Sequence, residues 1–288
     1  DGSFPVINLE KGMVRGKIVK KISSDGNKTI LSASGGTVVN AVPDRAYATL
    51  HGFSESDLAS AVKAVPENAE IFLEKEENNI KVTMKGKSAH ASTPEDGKNA
   101  VTALFTFLGA LPCDDGSAAF FEKLSTLFRF GETDGSSLGI QASDEKSGAL
   151  TFVFSVFHFE NGNFEGCFDI RFPISLTSAK IRTKLEKVFS NFGFSIDEWN
   201  SSEPHYVDEN SDFVQTLLSV YTELTRRKGH CIAIGGGTYV HGVDGGVAFG
   251  AAFPGVENHM HGADEFISLE DMLLTSKIYA EAILRLCR

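Results

Sequence analysis

Residues 235–265 concentrate the residue types that metal chemistry uses. The segment holds eight glycines ahead of the pair His259 and His261, and two acidic residues follow. Glycine lets the backbone approach a ligand closely or adopt φ > 0, and neutral imidazole is a good zinc ligand. A glycine-rich loop, a buried small-residue strand and a loop histidine are what a metal-dependent α/β hydrolase needs near its site. The alternative is a tight turn, a core strand and surface histidines.

His90 is a second candidate, within the segment GKSAHASTPEDGKNA at residues 86–100. Residues 92–94, with two acidic residues next, form a helix-start signal. We therefore expect His90 in a loop just ahead of a helix N-terminus, unobstructed by bulky neighbours. The alternative is a solvated loop histidine in a turn made by Gly and Ser.

Arg171 is a third candidate, in a predicted strand over residues 167–172. Aromatic and aliphatic residues alternate there with polar ones, so Arg171 shares a polar face with Asp169. A guanidinium in such a position can bind a terminal carboxylate through two parallel hydrogen bonds. The alternative is a salt bridge with Asp169 on the same face.

Composition limits the class of protein. The 288 residues are 42% hydrophobic and 23% charged, which are globular values and allow one large or two ordinary domains. A net charge of −11 disfavours a nucleic-acid partner. Four widely spaced cysteines predict reduced thiols of a cytoplasmic protein. The sequence contains no signal peptide and no apolar run of about 18 residues, so no membrane partner is expected.

The hydrophobic periodicity predicts alternating helices and strands that would position these residues. Helices are predicted over residues 55–65, 98–111, 117–128, 177–192, 208–227 and 269–287. Strands are predicted over residues 14–22, 70–74, 80–85, 149–159, 165–173, 194–199, 232–234 and 247–253. The high count of 23 Phe indicates substantial cores.

Six motifs in order along the chain resemble the PepV-type dipeptidases, in the di-zinc metallopeptidase family that also holds carnosinase and aminoacylase. They are NAVP, GKSAHASTPEDGKNA, DEKSGALT, FDIRFP, GGGTY with VAFGAAFPG, and MHGADEFI. The resemblance implies an α/β fold in which a lid domain interrupts a catalytic domain. Residues 1–11 and 207–288 would be pieces of a three-layer α/β/α zinc-peptidase catalytic domain. Residues 12–206 would be a lid of two α+β halves with helices on one face.

The resemblance also implies an activity, the hydrolysis of unblocked dipeptides by a metal-dependent dipeptidase that is a monomer when full length. Two zinc ions, or manganese or cobalt in their place, would activate a water and polarise the scissile carbonyl. His90 would donate to the developing oxyanion. The other implied roles are metal ligation by Asp1 and His261, and substrate binding by Asn40, Arg171, Gly236, Gly237 and Thr238.

The chain departs from the family pattern in what precedes it. The family's first metal-binding half, with most zinc ligands and the general base, is not found in this sequence. The chain is therefore expected to be the C-terminal portion of a longer enzyme and inactive alone. Two alternatives stay open, a non-catalytic binding or assembly module and an amidohydrolase or deacylase of the same family. His241 stands where this subfamily often has Arg after GGGTY-x, which leaves the substrate preference open.

Overall fold

The computed structural model of the chain describes residues 2–23, 26–256, 258–259 and 262–287. It divides into two compact units. Unit 1 comprises Asp1–Gly12, Asp144–Gly148 and Glu203–Arg288, and unit 2 comprises Met13–Ser143 and Ala149–Ser202. The sequence analysis set its boundaries after residues 11 and 206 and did not anticipate the short segment 144–148. The roles of these segments as catalytic pieces and lid stay a prediction.

Helices and strands alternate along both units. The helices are α1 Glu55–Val62, α2 Ala100–Gly109, α3 Ser117–Leu127, α4 Ser178–Asn191, α5 Asp212–Thr225 and α6 Leu269–Leu286. The strands are β1 Gly2–Ser3, β2 Val6–Glu10, β3 Gly12–Lys21, β4 Thr29–Gly35, β5 Ala41–Val42, β6 Arg45–His51, β7 Glu70–Glu76, β8 Asn79–Lys85, β9 Ala89–His90, β10 Ser143–Asp144, β11 Gly148–Ala149, β12 Thr151–Glu160, β13 Asn163–Phe172, β14 Ser195–Ser202, β15 His205–Tyr206, β16 Cys231–Ile234 and β17 Ala251–Ala252.

Unit 2 is built on one eight-stranded sheet with the order β14-β3-β13-β12-β4-β6-β8-β7. The two predicted halves of the lid are continuous in this sheet, because β12 pairs with β4 at registers such as Phe157 with Gly35. The predicted mixed α/β class is confirmed.

One face of this sheet carries the core of unit 2. Helices α1 to α4 contribute to a single cluster of buried apolar residues with the inward-facing side chains of the strands. The ring of Phe105 in α2 lies 5.4 Å from that of Phe154 and 5.8 Å from that of Phe121, between centroids. Burying one such side chain contributes about 1.5–3 kcal/mol. The opposite face is left to polar side chains, as the alternating burial along β3 indicates.

Helix α2 begins later than the sequence predicted. The residues read as its start form a 3-10 helix over Pro94–Asp96, in which Thr93 makes no side-chain cap, and Gly97 then continues in extended conformation. The α-helix begins at Ala100, because the side chain of Asn99 accepts the backbone N–H groups of Val101 and Thr102.

Unit 1 contains a three-stranded sheet in the order β15-β2-β16 and the short pair β1-β17. Its core surrounds the fully buried ring of Phe4, whose centroid lies 4.8 Å from Phe253 and 5.6 Å from Tyr221 in α5. The strand predicted over 247–253 is reduced to β17. The reason is Gly250, whose φ of +84 interrupts the extended conformation. A Cβ atom at this position would also lie 2.4 Å from the Phe4 ring.

Helix α6 carries an exposed apolar face. Its buried side includes Ile278 and Ala282, which pack into the core of unit 1. On the opposite side, with helical spacing, lies the α6 apolar stripe, Leu269, Met272, Leu273, Ile283 and Leu284, with exposed fractions of 75, 45, 60, 60 and 55%. An apolar stripe of this width is typical of a helix face that packs against another element.

The four cysteines are free thiols, as the spacing predicts. Within the described part of the chain, no helix combines the length and the hydrophobicity that a membrane span requires.

Candidate functional site

Three of the predicted site residues lie in unit 2 and are connected through short backbone contacts. His90 lies in β9, which pairs with β5. The next residue, Ala91, donates its N–H to the carbonyl of Asn40 at 2.9 Å, and its own carbonyl accepts the hydroxyl of Thr151 at 2.9 Å. Thr151 is in turn the cross-strand partner of Arg171. The fold of unit 2 therefore brings Asn40, His90 and Arg171 into one region.

The imidazole of His90 is held in one tautomer by Ser92. Its Nδ1 accepts the backbone N–H of Ser92 at 3.2 Å and lies 2.7 Å from the Ser92 hydroxyl. Desolvation, and next the positive charge of Arg171, lower the pKa of His90, so the neutral ring predominates at neutral pH. A neutral ring that accepts at Nδ1 carries its proton on Nε2. His90 is thus an exposed, neutral hydrogen-bond donor.

Asp169 lies fully buried between two guanidinium groups. Arg171 donates from Nε and Nη2 to the two carboxylate oxygens at 2.6 and 3.0 Å, and Arg15 donates from Nε at 3.0 Å. The ion pair that was the alternative interpretation of Arg171 is therefore present. It uses the Nε/Nη2 edge of the Arg171 guanidinium, and Nη1 takes no part in it. The role of Arg171 as a carboxylate clamp stays a prediction.

Arg15, Asp169 and Arg171 form what we call the Asp169 cluster. Two guanidinium groups against one carboxylate leave it with a net positive charge, which favours anions nearby. Both arginines lower the pKa of His90, so their field extends to that ring. The sequence analysis missed Arg15, although its place in the alternating polar positions of β3 gave a signal.

The predicted glycine-rich loop lies in unit 1, directly after β16. The side chain of Thr238 donates to Oε1 of Glu10 at 2.6 Å, and the Thr238 N–H donates to the same oxygen at 3.0 Å. Neither Gly236 nor Gly237 has φ in the left-handed region. A Cβ atom at Gly236 would have no neighbour within 4 Å. Gly236 therefore leaves one side of the loop open rather than permit an unusual turn. Glu10 was also missed by the sequence analysis.

The two predicted metal ligands, Asp1 and His261, lie outside the described residues. Among the residues that are described, no group of three or more His, Cys, Asp or Glu side chains could hold a metal ion. The nearby His259 packs its ring edge-on against Phe266, with 5.7 Å between centroids. The described residues do not form a metal site by themselves, and their chemistry is that of hydrogen-bond donors and charges.

Comparison with known proteins gives consistent results along the chain. Residues 78–194 match the family model described as the M20 peptidase dimerisation domain. "Putative dipeptidase YtjP" of Bacillus subtilis is 32% identical over 296 residues, and the alignment covers 100% of this chain and 63% of the relative. SAB1611c of Staphylococcus aureus, which carries the same description, is 30% identical over 302 residues with the same coverage.

Among solved structures, aminoacylhistidine dipeptidase from Vibrio alginolyticus aligns with 99% of this chain and 63% of its own, with a TM-score of 0.47 and 14% identity. The chain thus spans 63% of the length of the two curated relatives. Both relatives match over all of it, and the family model covers its central part. Residues 78–194 thus match the M20 peptidase dimerisation domain, and the whole chain is similar to putative dipeptidases, so the resemblance carried by its motifs is confirmed.

Proposed function

We propose that this chain is the substrate-binding and part-catalytic portion of a metal-dependent dipeptidase that hydrolyses unblocked dipeptides. The observation that carries the proposal is the state of His90. Its ring is neutral, exposed and fixed by Ser92 with the Nε2 proton directed away from that contact. A preorganised neutral donor is what stabilises the oxyanion that forms when water attacks a peptide carbonyl.

The Asp169 cluster supports recognition of the free carboxylate that every unblocked dipeptide carries. Its net positive charge favours an anion, and the buried Asp169 carboxylate holds the Arg171 guanidinium in one orientation. Asp169 binds the Nε/Nη2 edge and so fixes the guanidinium that a substrate carboxylate would meet. A charge-assisted contact of this kind contributes about 1.5–3 kcal/mol. Asn40 would add a polar contact to the substrate.

The backbone of Gly236–Thr238 would cradle the substrate main chain. Its open side at Gly236 and its anchor at Thr238 support this assignment. Backbone N–H groups in such a loop are suited to peptide carbonyls and to developing negative charge.

The metal ions are part of the proposal through the family. Two zinc ions, with manganese or cobalt as substitutes, would supply a water of lowered pKa and a Lewis acid for the carbonyl. We assign Asp1 and His261 as the ligands that this chain contributes. The remaining ligands and the general base would come from another part of the longer enzyme, the part that corresponds to the unaligned length of the relatives. The chain alone would then bind metal incompletely and show no turnover.

Two features support a longer functional protein. The alignment covers only 63% of the Bacillus subtilis relative, which is therefore longer than this chain. The α6 apolar stripe exposes a continuous hydrophobic face that a further segment of the catalytic domain would cover. The continuous sheet of unit 2, built from both halves of the proposed lid, supports a monomeric enzyme of the PepV type.

The test uses the longer enzyme with a dipeptide and the same dipeptide as its C-terminal amide. We expect wild type to prefer the free acid by at least about tenfold, on the energy of one charge-assisted contact. Arg171→Met should lose most of this preference, and Arg171→Lys should lose part of it because the fork is gone. His90→Ala should lower kcat by about 10²–10³ without changing the preference or the metal content.

The control is Arg182→Met, an arginine on α4 whose side chain is 50% exposed and pairs with Glu186 one turn along the same helix. Circular dichroism would establish that each variant is folded. If Arg171→Met separates acid from amide as wild type does, the carboxylate clamp lies elsewhere. If the longer enzyme hydrolyses no unblocked dipeptide in the presence of zinc or manganese, the proposed function is wrong.

A further inference from the structure

We propose that Glu10 is a positioning residue, whose buried carboxylate holds the 235–241 loop in its binding conformation through Thr238 and a protonated His241. The inference rests on the proposed function of Gly236–Thr238 as a substrate cradle. It adds a residue that lies far from this loop in sequence and acts on the substrate only through it.

Glu10 is placed by the central strand of the unit 1 sheet. It is the last residue of β2, pairs with His205 of β15 on one side and with Ile234 of β16 on the other, and is fully buried. Because β16 runs directly into the loop, the Glu10 side chain lies beside the point where the loop leaves the sheet. The carboxylate therefore contacts the loop from a rigid element.

Each carboxylate oxygen of Glu10 binds a different part of the loop. Oε1 accepts both the N–H and the hydroxyl of Thr238, at 3.0 and 2.6 Å. Oε2 lies 2.6 Å from Nδ1 of His241. The position where a Cβ atom would sit on Gly237 is 3.6 Å from Oε2 and 3.5 Å from Nδ1 of His241. The two ends of the proposed cradle are thus fixed to one side chain.

The contacts of His241 require it to be charged. Its Nδ1 faces the Glu10 carboxylate, and its Nε2 lies 2.9 Å from the backbone carbonyl of Glu203. With Glu10 ionised, both neighbours are acceptors, so both ring nitrogens donate, and only the imidazolium ion does so. The positive charge also compensates the carboxylate, since a buried carboxylate without a cation or hydrogen bonds is strongly disfavoured.

Other groups also face the His241 ring. The Glu10 carboxylate from β2 contacts the ring, and the ring of His205 from β15 lies 6.1 Å away between centroids. The Nε2 of His205 lies 2.6 Å from the carbonyl of Gly246, so this nitrogen acts as a donor. Deprotonation of His241 would remove the Glu203 contact and the compensating charge together. An arginine at position 241 would keep its charge over the whole working pH range.

The first experiment uses the 288-residue chain and measures amide hydrogen exchange over residues 238–241, corrected for the intrinsic rate at each pH. Glu10→Gln should exchange about tenfold faster or more at Thr238, since the carboxylate charge that strengthens this hydrogen bond is lost. Wild type should lose protection as the pH rises, whereas His241→Arg should keep it. The control is Glu209→Gln, an exposed carboxylate of the same unit.

Two results would overturn the proposal. The first is unchanged Thr238 protection in Glu10→Gln. The second is equal pH dependence in wild type and His241→Arg, which also decides the matter if Glu10→Gln fails to fold. Neither measurement depends on catalysis, so both stand if the proposed function proves wrong.

The second experiment uses the longer enzyme and separates KM from kcat. A positioning role predicts that Glu10→Gln raises KM for dipeptides about tenfold or more, because the cradle is mostly out of its binding conformation. A purely structural role predicts a lower active fraction, and therefore a lower apparent kcat with an unchanged KM. Active enzyme with unchanged KM in Glu10→Gln would refute the positioning role while leaving the dipeptidase function intact.

Discussion

The exchange Asp169→Asn isolates the charge at the centre of the Asp169 cluster while keeping the shape of the side chain. In wild type the fully buried carboxylate accepts three N–H groups from two guanidiniums, and the Arg171 side chain is only 6% exposed. Removing one partner of a buried ion pair costs about 3–5 kcal/mol, because the remaining charge is left uncompensated. Asparagine keeps one acceptor oxygen, so we expect the lower end, about 3 kcal/mol.

The magnitude is large enough for thermal unfolding to resolve. A loss of 1 kcal/mol lowers Tm by about 2–4 °C in a domain of 150–250 residues, so we expect a decrease of about 6–12 °C. Differential scanning calorimetry on the chain would follow the transition of unit 2, and urea unfolding would give the free energy.

The matched control is Asp197→Asn on β14, the edge strand of the same sheet. Its side chain is 49% exposed and lies 3.5 Å from Lys17, so the exchange should cost less than about 1 kcal/mol. If Asp169→Asn unfolds at the same temperature as Asp197→Asn, the guanidiniums do not depend on the Asp169 charge and the account of the cluster is wrong.

Two further predictions concern His90 and the unit 2 core. The imidazole of His90 should titrate below its usual pKa in an NMR experiment, and Arg171→Met should raise that pKa, because desolvation and the Arg171 charge are the first two causes of the shift. Since the folded-state pKa is the lower one, this site loses stability as the pH falls through the unfolded and then the folded value. An unshifted or raised pKa would contradict the assigned effects of desolvation and the Arg171 charge. Gly16→Ala should cost about 1–3 kcal/mol in urea unfolding, because its Cβ would lie 2.2 Å from the Phe168 ring, whereas Gly242→Ala, with no neighbour within 4 Å, should be nearly neutral.

Periodic segments with clear ends were predictable from the sequence. Helix α4 repeats buried Ile181 and Leu185 at helical spacing, and the hairpin of β12 and β13 has strong alternation around an Asn-Gly turn. These signals are local, so no knowledge of the neighbouring strands was needed.

The strands that were missed depend on their neighbours. β4 reads TILSASG and β6 reads RAYATLH, which are poor in large apolar residues, but each is paired on both sides within the eight-stranded sheet. β2 is buried along its whole length and therefore shows no alternation. Cross-strand pairing overrides propensity in such segments, and pairing is not visible in a single sequence.

The candidate residues that carry a motif were found from the sequence, and their roles stay predictions. His90, Asn40 and Arg171 came from motifs, and unit 2 brings them into one region. Glu10 and Arg15 carried no motif, and their importance follows only from partners more than a hundred residues away. A charged residue ending an otherwise apolar strand was the one local signal that Glu10 offered.

The strand order of unit 2 also has a consequence for biosynthesis. β3 lies between β13 and β14, and Arg15 binds Asp169 across 154 residues of sequence. When synthesis has reached only residue 150, β3 therefore lacks both of its neighbours in the sheet, and β4 lacks its neighbour β12. Loop closures of this length slow folding, and unpaired strand edges promote aggregation while they last. The sheet is completed only after β14 has left the ribosome, so the strand order delays the folding of this unit until late in synthesis.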